Sequence, residues 1–165
     1  MKKSSFVIVF ILLNVLFISC SVEEDVEMFD EYNSINITVE YTQMDNEIVE
    51  IINDHRRLKG LSELQVLNEA SIEAIGHNQY MVENGEPSHD YFFKRSDKLK
   101  KVVNAKSVAE NVGYGYSSAQ SIVNAWLKSA SHRKNIENPG FTDFGISTKK
   151  DEAGRNYFTN IFVKM

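Results

Sequence analysis

One cysteine, two prolines, eight glycines and one tryptophan are all that this 165-residue chain carries of the residues that most often impose a special structure. A single thiol, Cys20, allows no internal disulfide, so the fold must be held by packing alone. Proline and glycine total only ten, which excludes a collagen-like repeat and a wholly disordered chain. No apolar run approaches the ~20 residues of a membrane-spanning helix. The longest, Phe6 to Ile18, has thirteen residues and is interrupted by Asn14. At ~1.5 Å per residue it reaches about 20 Å, short of a ~30 Å hydrocarbon core. HExxH, CxxC, GxSxG and phosphate-loop patterns are all missing, as is any basic stripe, so no nucleic-acid partner is expected.

What is present begins with Lys2-Lys3, the apolar run, and Ser19-Cys20, which reads as a cleavable signal peptide over residues 1–19. Cys20 after a small residue resembles the lipobox of bacterial lipoproteins, in which the cysteine is acylated and becomes the new N-terminus. The resemblance implies an exported protein that meets the membrane through lipid on Cys20. Removing the leader leaves 16 basic against 23 acidic side chains, a net charge of −7, which repels phosphate backbones. Eight of the acids lie between Ser21 and Asn46, where there is no Lys or Arg, so residues 20–45 read as an extended acidic tether. The acidic cluster behind the cysteine also resembles the surface-export signal of some Bacteroidota lipoproteins; a plain solvated linker is the other reading. Ile35, Ile37, Val39 and Tyr41 alternate with polar residues, as in a short strand.

The remaining residues, 46–165, hold enough apolar material for one domain. Asp45 or Asn46 is expected to cap a helix with Ile48, Ile51, Ile52 and Leu58 on its apolar face and Gly60 as its stop. A second helix is expected over Asn68–Asn84, with His77 as a packed core histidine on the stripe of Ala70, Ala74 and Met81. His55, beside Arg56 and Arg57, reads as structural or exposed rather than catalytic. Ser117-x-x-Gln120 is a capping-box pattern before a stripe of Ala119, Ile122, Val123, Trp126 and Leu127. Phe144, Ile146 and Thr148 alternate, a polar turn spans Asp151–Asn156, and Tyr157–Val163 is β-rich, which predicts a terminal hairpin. Helices first and strands last, without a βαβ rhythm, give an α+β class.

Three segments outside the periodic runs carry the chemistry and are expected to be loops: Pro87-Ser88-His89, Ala109-Glu110-Asn111 and Ser131-His132-Arg133. Two imidazoles and a carboxylate suit a divalent cation such as Zn2+ with one open position, or metal-free acid–base work. The order and wording of these segments resemble the CAP (SCP/TAPS) superfamily, in its short bacterial branch. Asn53-Asp54-His55-Arg56-Arg57 with Gly60-Leu61, Ser88-His89, Glu110-Asn111-Val112, the run from Trp126 through His132-Arg133 to Ile146, and Tyr157 to Phe162 carry the likeness, which covers roughly residues 46–163. It implies a three-layer α-β-α sandwich around a mainly antiparallel sheet. It implies a cavity site of His89, Glu110 and His132, either as metal ligands or, in an enzyme, as catalytic groups, with Asn111 and Ser129 as binding residues. Ser129 stands where many members place a second Glu, so Zn2+ is expected to bind weakly. Three functions stay open: a binding module for a lipid or small molecule, a hydrolase, and an envelope adhesin with a vestigial cavity.

Overall fold

In the computed structural model, which describes residues 38–165, the chain becomes helical at Gln43, ahead of the expected boundary at Asn46. The leader, Cys20, Ile35, Ile37 and the first part of the tether lie outside the described residues; Val39 and Tyr41 are described and are not in a strand. Helix α1 spans Gln43–Leu58. Its N-cap is Thr42 rather than Asp45 or Asn46: the Thr42 hydroxyl accepts from Asp45 N at 3.1 Å, and Asp45 Oδ2 accepts from Thr42 N at 2.9 Å. Asp45 thus serves as the third helical residue of a Thr-x-x-Asp capping box. Ile48 and Ile52 are fully buried, but the next residue of that stripe, four on, is Arg56, which is also fully buried. Leu58 falls off the stripe and is 86% exposed.

After α1 come strand β1 (Gln65–Val66), helix α2 (Asn68–Asn84) and helix α3 (Phe92–Val102). Strand β2 (Ser107–Tyr114), helices α4 (Ala119–Lys128) and α5 (Ala130–Ile136), and the hairpin of β3 (Asp143–Lys150) with β4 (Asn156–Lys164) complete the domain. The capping box of α4 is Ser118 with Ser121, one residue along from the Ser117-x-x-Gln120 pattern. The sheet runs β1-β3-β4-β2, parallel at the short β1–β3 pairing and antiparallel elsewhere.

Alternation along the strands gives each face its own helices. Phe144, Ile146, Phe158 and Phe162 pack with Ile48, Ile52, Ile122, Val123 and Trp126 on the side of α1 and α4. Ile161 and Val163 pack with Ala70, Ala74 and Leu99 on the side of α2 and α3. The result is an α+β domain, as the pattern of elements predicts, in the three layers that the family resemblance implies.

The α2 layer lies against the sheet at close range because Gly145 lets it. A Cβ at Gly145 would stand 2.2 Å from the backbone of Ala70 and Ser71. Backbone on both sides leaves no flexible side chain to yield, so Gly145→Ala should cost about 3 kcal/mol, at the upper end of overpacking penalties. Urea denaturation of the variant checks this; a midpoint equal to wild type would mean the layers can part freely.

Candidate functional site

Strand β2 closes one end of the sheet, so its two faces look toward different helical layers. Glu110 lies opposite Ile161 and faces α2 and α3; Asn111 lies opposite Asn160 and faces α5. Ala109-Glu110-Asn111 is therefore strand, not loop, and Ser131-His132-Arg133 is part of α5, not loop. Three alternating residues in a run with Gly113 carry too short a period to mark a strand, and the seven residues of α5 are too few to show a helical one. His89 does sit in a loop, between α2 and α3.

The Glu110 side chain is only 1% exposed and receives three hydrogen bonds. His89 Nδ1 approaches Oε1 at 2.8 Å, Arg95 Nε donates to Oε2 at 2.9 Å, and Arg95 Nη2 donates to Oε1 at 2.9 Å. The guanidinium thus grips the carboxylate with a two-pronged fork, the strongest form of this contact. Arg95 is itself held by donation from Nη1 to the Asp90 carbonyl at 2.7 Å. His77 Nε2 lies 3.9 Å from Glu110 Oε1 and 2.8 Å from the Ser88 carbonyl. Because a carbonyl only accepts, Nε2 carries the proton and the buried Nδ1 is left without a partner.

The structure joins His89 to Glu110 directly and places His132, half-buried, on α5. Asn111 is fully buried and committed to the scaffold: its amide donates to the His132 carbonyl at 3.1 Å, and its oxygen accepts from Asn135 at 2.8 Å. Ser129 is the junction between α4 and α5, with its hydroxyl 3.1 Å from that of Ser131. Arg95 was not among the expected site residues. Its signal is a cation four residues before Leu99 on the buried stripe of a lysine-rich helix. His77 takes the buried place its helical stripe predicts, and His55 bonds Glu137 at 2.8 Å, a structural role.

A divalent cation at His89, Glu110 and His132 would share the Glu110 carboxylate with the guanidinium and would sit beside that like charge. Among the described residues, no group of three or more His, Cys, Asp or Glu converges as a metal site. The donor set does not fit Zn2+ while Arg95 is in place.

Burial lowers the pKa of His77, with Arg95 adding to the effect and Glu110 opposing it; burial and then His89 lower that of His132. Both therefore bind protons more readily in the unfolded chain, so stability is complete above the unfolded value of about 6.5 and falls as pH drops below it. Urea midpoints should decrease between about pH 7.5 and pH 5, and His77→Gln should flatten the decrease. An unchanged slope in the variant would remove His77 as a cause.

The family model described as the cysteine-rich secretory protein family, CAP, matches residues 49–163. An uncharacterized protein of Bacillus subtilis, YkwD, is 31% identical over 105 residues, covering 62% of this chain and 41% of its own. An uncharacterized membrane protein of the same organism, YlbC, is 29% identical over 126 residues, covering 74% of this chain and 35% of its own. The chain thus spans less than half the length of these relatives. An outer surface protein from Borrelia burgdorferi superposes with a TM-score of 0.69 at 20% identity, covering 79% of this chain and 98% of that one.

Proposed function

The chain belongs to the cysteine-rich secretory protein (CAP) family, and from that membership we propose that it is an exported binding module. Lipid on Cys20 holds it to the cell envelope, and the polar cluster at the β2 edge takes a polar group of a lipid or small-molecule ligand. The observation that carries this reading is the buried Glu110 carboxylate held by Arg95. A general base needs a lone pair within reach of a substrate proton. Glu110 is buried and already accepts three hydrogen bonds, two of them from a fixed cation. His89, by contrast, has a side chain 55% exposed, and with Nδ1 turned to Glu110 its Nε2 is the atom free to meet a ligand. A cleft with a few fixed polar groups is sufficient for a binder, whereas a hydrolase also needs an activated nucleophile and a stabiliser for developing charge.

The test is native mass spectrometry of the protein purified from its envelope, beside assays on peptide, ester and glycan substrates. The expected result is a retained small molecule that is lost in His89→Ala, with no turnover by wild type. Turnover that disappears in His89→Ala at an unchanged melting temperature would replace the binding reading with a hydrolase.

A further inference from the structure

Helices α2 and α3 enclose a groove of about 370 Å3 whose wall includes His77 and Arg95 of the polar cluster together with Glu73, Gly76, Tyr80 and Tyr91. That volume lies within the ~300–1,000 Å3 of small-molecule sites. Two features of this wall are unfavourable for the fold.

The first is Gly76, in the interior of α2. A glycine there is less favourable for the helix than alanine. Its φ is not positive, and a Cβ would meet nothing within 4 Å, so neither backbone geometry nor packing calls for glycine. What glycine does provide is open space in the groove. The second is Tyr91, the N-cap of α3, held at a φ of +57° in the left-handed region with half of its surface exposed. An aromatic residue is strained in that conformation, and Lys94 Nζ lies over its ring, 4.8 Å from the centroid. Its ring meets the Tyr80 ring edge-on, with centroids 5.5 Å apart, and the Tyr80 ring is stacked on His77 at 6.0 Å. The Tyr80 hydroxyl donates to Asp90 at 2.9 Å, which fixes the platform.

The charges of the wall are matched within it. Lys98 pairs with Glu73 at 2.7 Å, and Arg95 pairs with Glu110. A free anion or cation would have to break one of these pairs. A neutral ring bearing hydroxyls needs no such exchange: its hydroxyls add to the fixed donors and acceptors, and its C–H face lies on the tyrosines. We propose that the groove between α2 and α3 binds a neutral saccharide. The proposal goes beyond the binding reading above: the groove is a second site, adjoining the polar cluster at His77 and Arg95.

The test is an amide-resolved NMR titration of the purified whole chain with glucose, maltose, N-acetylglucosamine and its β-1,4 disaccharide. At least one of these sugars should shift Gly76, Tyr80 and Tyr91. Tyr91→Gly, which relieves the left-handed strain, should keep or raise the melting temperature while weakening the sugar about tenfold, the worth of one aromatic contact. Gly76→Leu should fill the groove and abolish the shifts without loss of stability. His89→Ala, which alters the cluster alone, should leave sugar binding intact, so failure of the cluster as a binding site is read separately from failure of the groove. No shift with any of the four sugars would overturn the proposal. So would shifts that survive Gly76→Leu, or tighter binding of glucuronate or choline than of the neutral sugars.

Discussion

Arg95→Met is expected to destabilise the protein by about 3–5 kcal/mol at neutral pH, because it leaves the Glu110 carboxylate buried with its main counter-charge gone. Glu110 is 1% exposed and Arg95 8% at the side chain, so water cannot take over from the guanidinium. His89 alone would face the carboxylate at 2.8 Å, through a ring whose remaining surface is in solvent. The reverse change, Glu110→Leu, strands the guanidinium and should cost a similar amount. A double variant, Arg95→Met with Glu110→Leu, should recover most of the loss, since apolar groups of similar volume replace a buried pair at little net cost. Urea denaturation of the four proteins closes the cycle. Costs that simply add in the double variant would show that the two side chains act independently and that the fork is incidental.

Arg56→Met should be comparably damaging, for a different reason. Arg56 lies on the buried stripe of α1 and has no carboxylate partner among the described residues; its guanidinium donates to main-chain carbonyls. Nε donates to Ser62 O at 2.7 Å, Nη1 to Ile136 O at 2.7 Å and Asn138 O at 3.0 Å, and Nη2 to Phe141 O at 3.5 Å. Burial lowers its pKa, yet an arginine stays charged in proteins, and the carbonyl ending α5 supplies partial negative charge. One side chain therefore ties the end of α1 to the turn after it, to α5 and to the entry of β3. Removing it strands several carbonyls at ~1–3 kcal/mol each where they are buried, for a total of about 4 kcal/mol. Arg56→Lys should recover less than half, because a point charge cannot reach the spread of acceptors that a planar fork does. A lysine variant with the wild-type melting curve would show that charge alone suffices.

These two arginines also mark where the sequence was readable and where it was not. Helices α1, α2 and α4 follow from apolar spacing, and the β3–β4 hairpin from its change of period and polar turn. Arg56 and Arg95 defeat the same method, since each is a charged residue on a buried stripe, and a pattern of apolar residues passes over it. Leu58 was expected in the core for the mirror-image reason: an apolar residue near the end of a helix joined the stripe by type and left it by angle. Helix α3 is amphipathic only through Arg95, Ser96 and Leu99, so its polar composition concealed it. Of the site, His89 and Glu110 were legible and do meet. The cation that locks them comes from α3, whose polar composition hides it from a search for apolar spacing.

The Arg95–Glu110 lock is tested most directly by titrating Zn2+ into the wild-type chain and into His89→Ala, by calorimetry at about pH 7, where reference imidazoles of pKa ~6.5 are mostly neutral and free to ligate. Because Arg95 already holds Glu110, and Ser129 supplies no further carboxylate, wild type should give only weak heat without saturation, little different from that of His89→Ala. Saturable one-to-one binding at micromolar Zn2+ that vanishes in His89→Ala would contradict the account, since Glu110 would then have released its arginine to a metal.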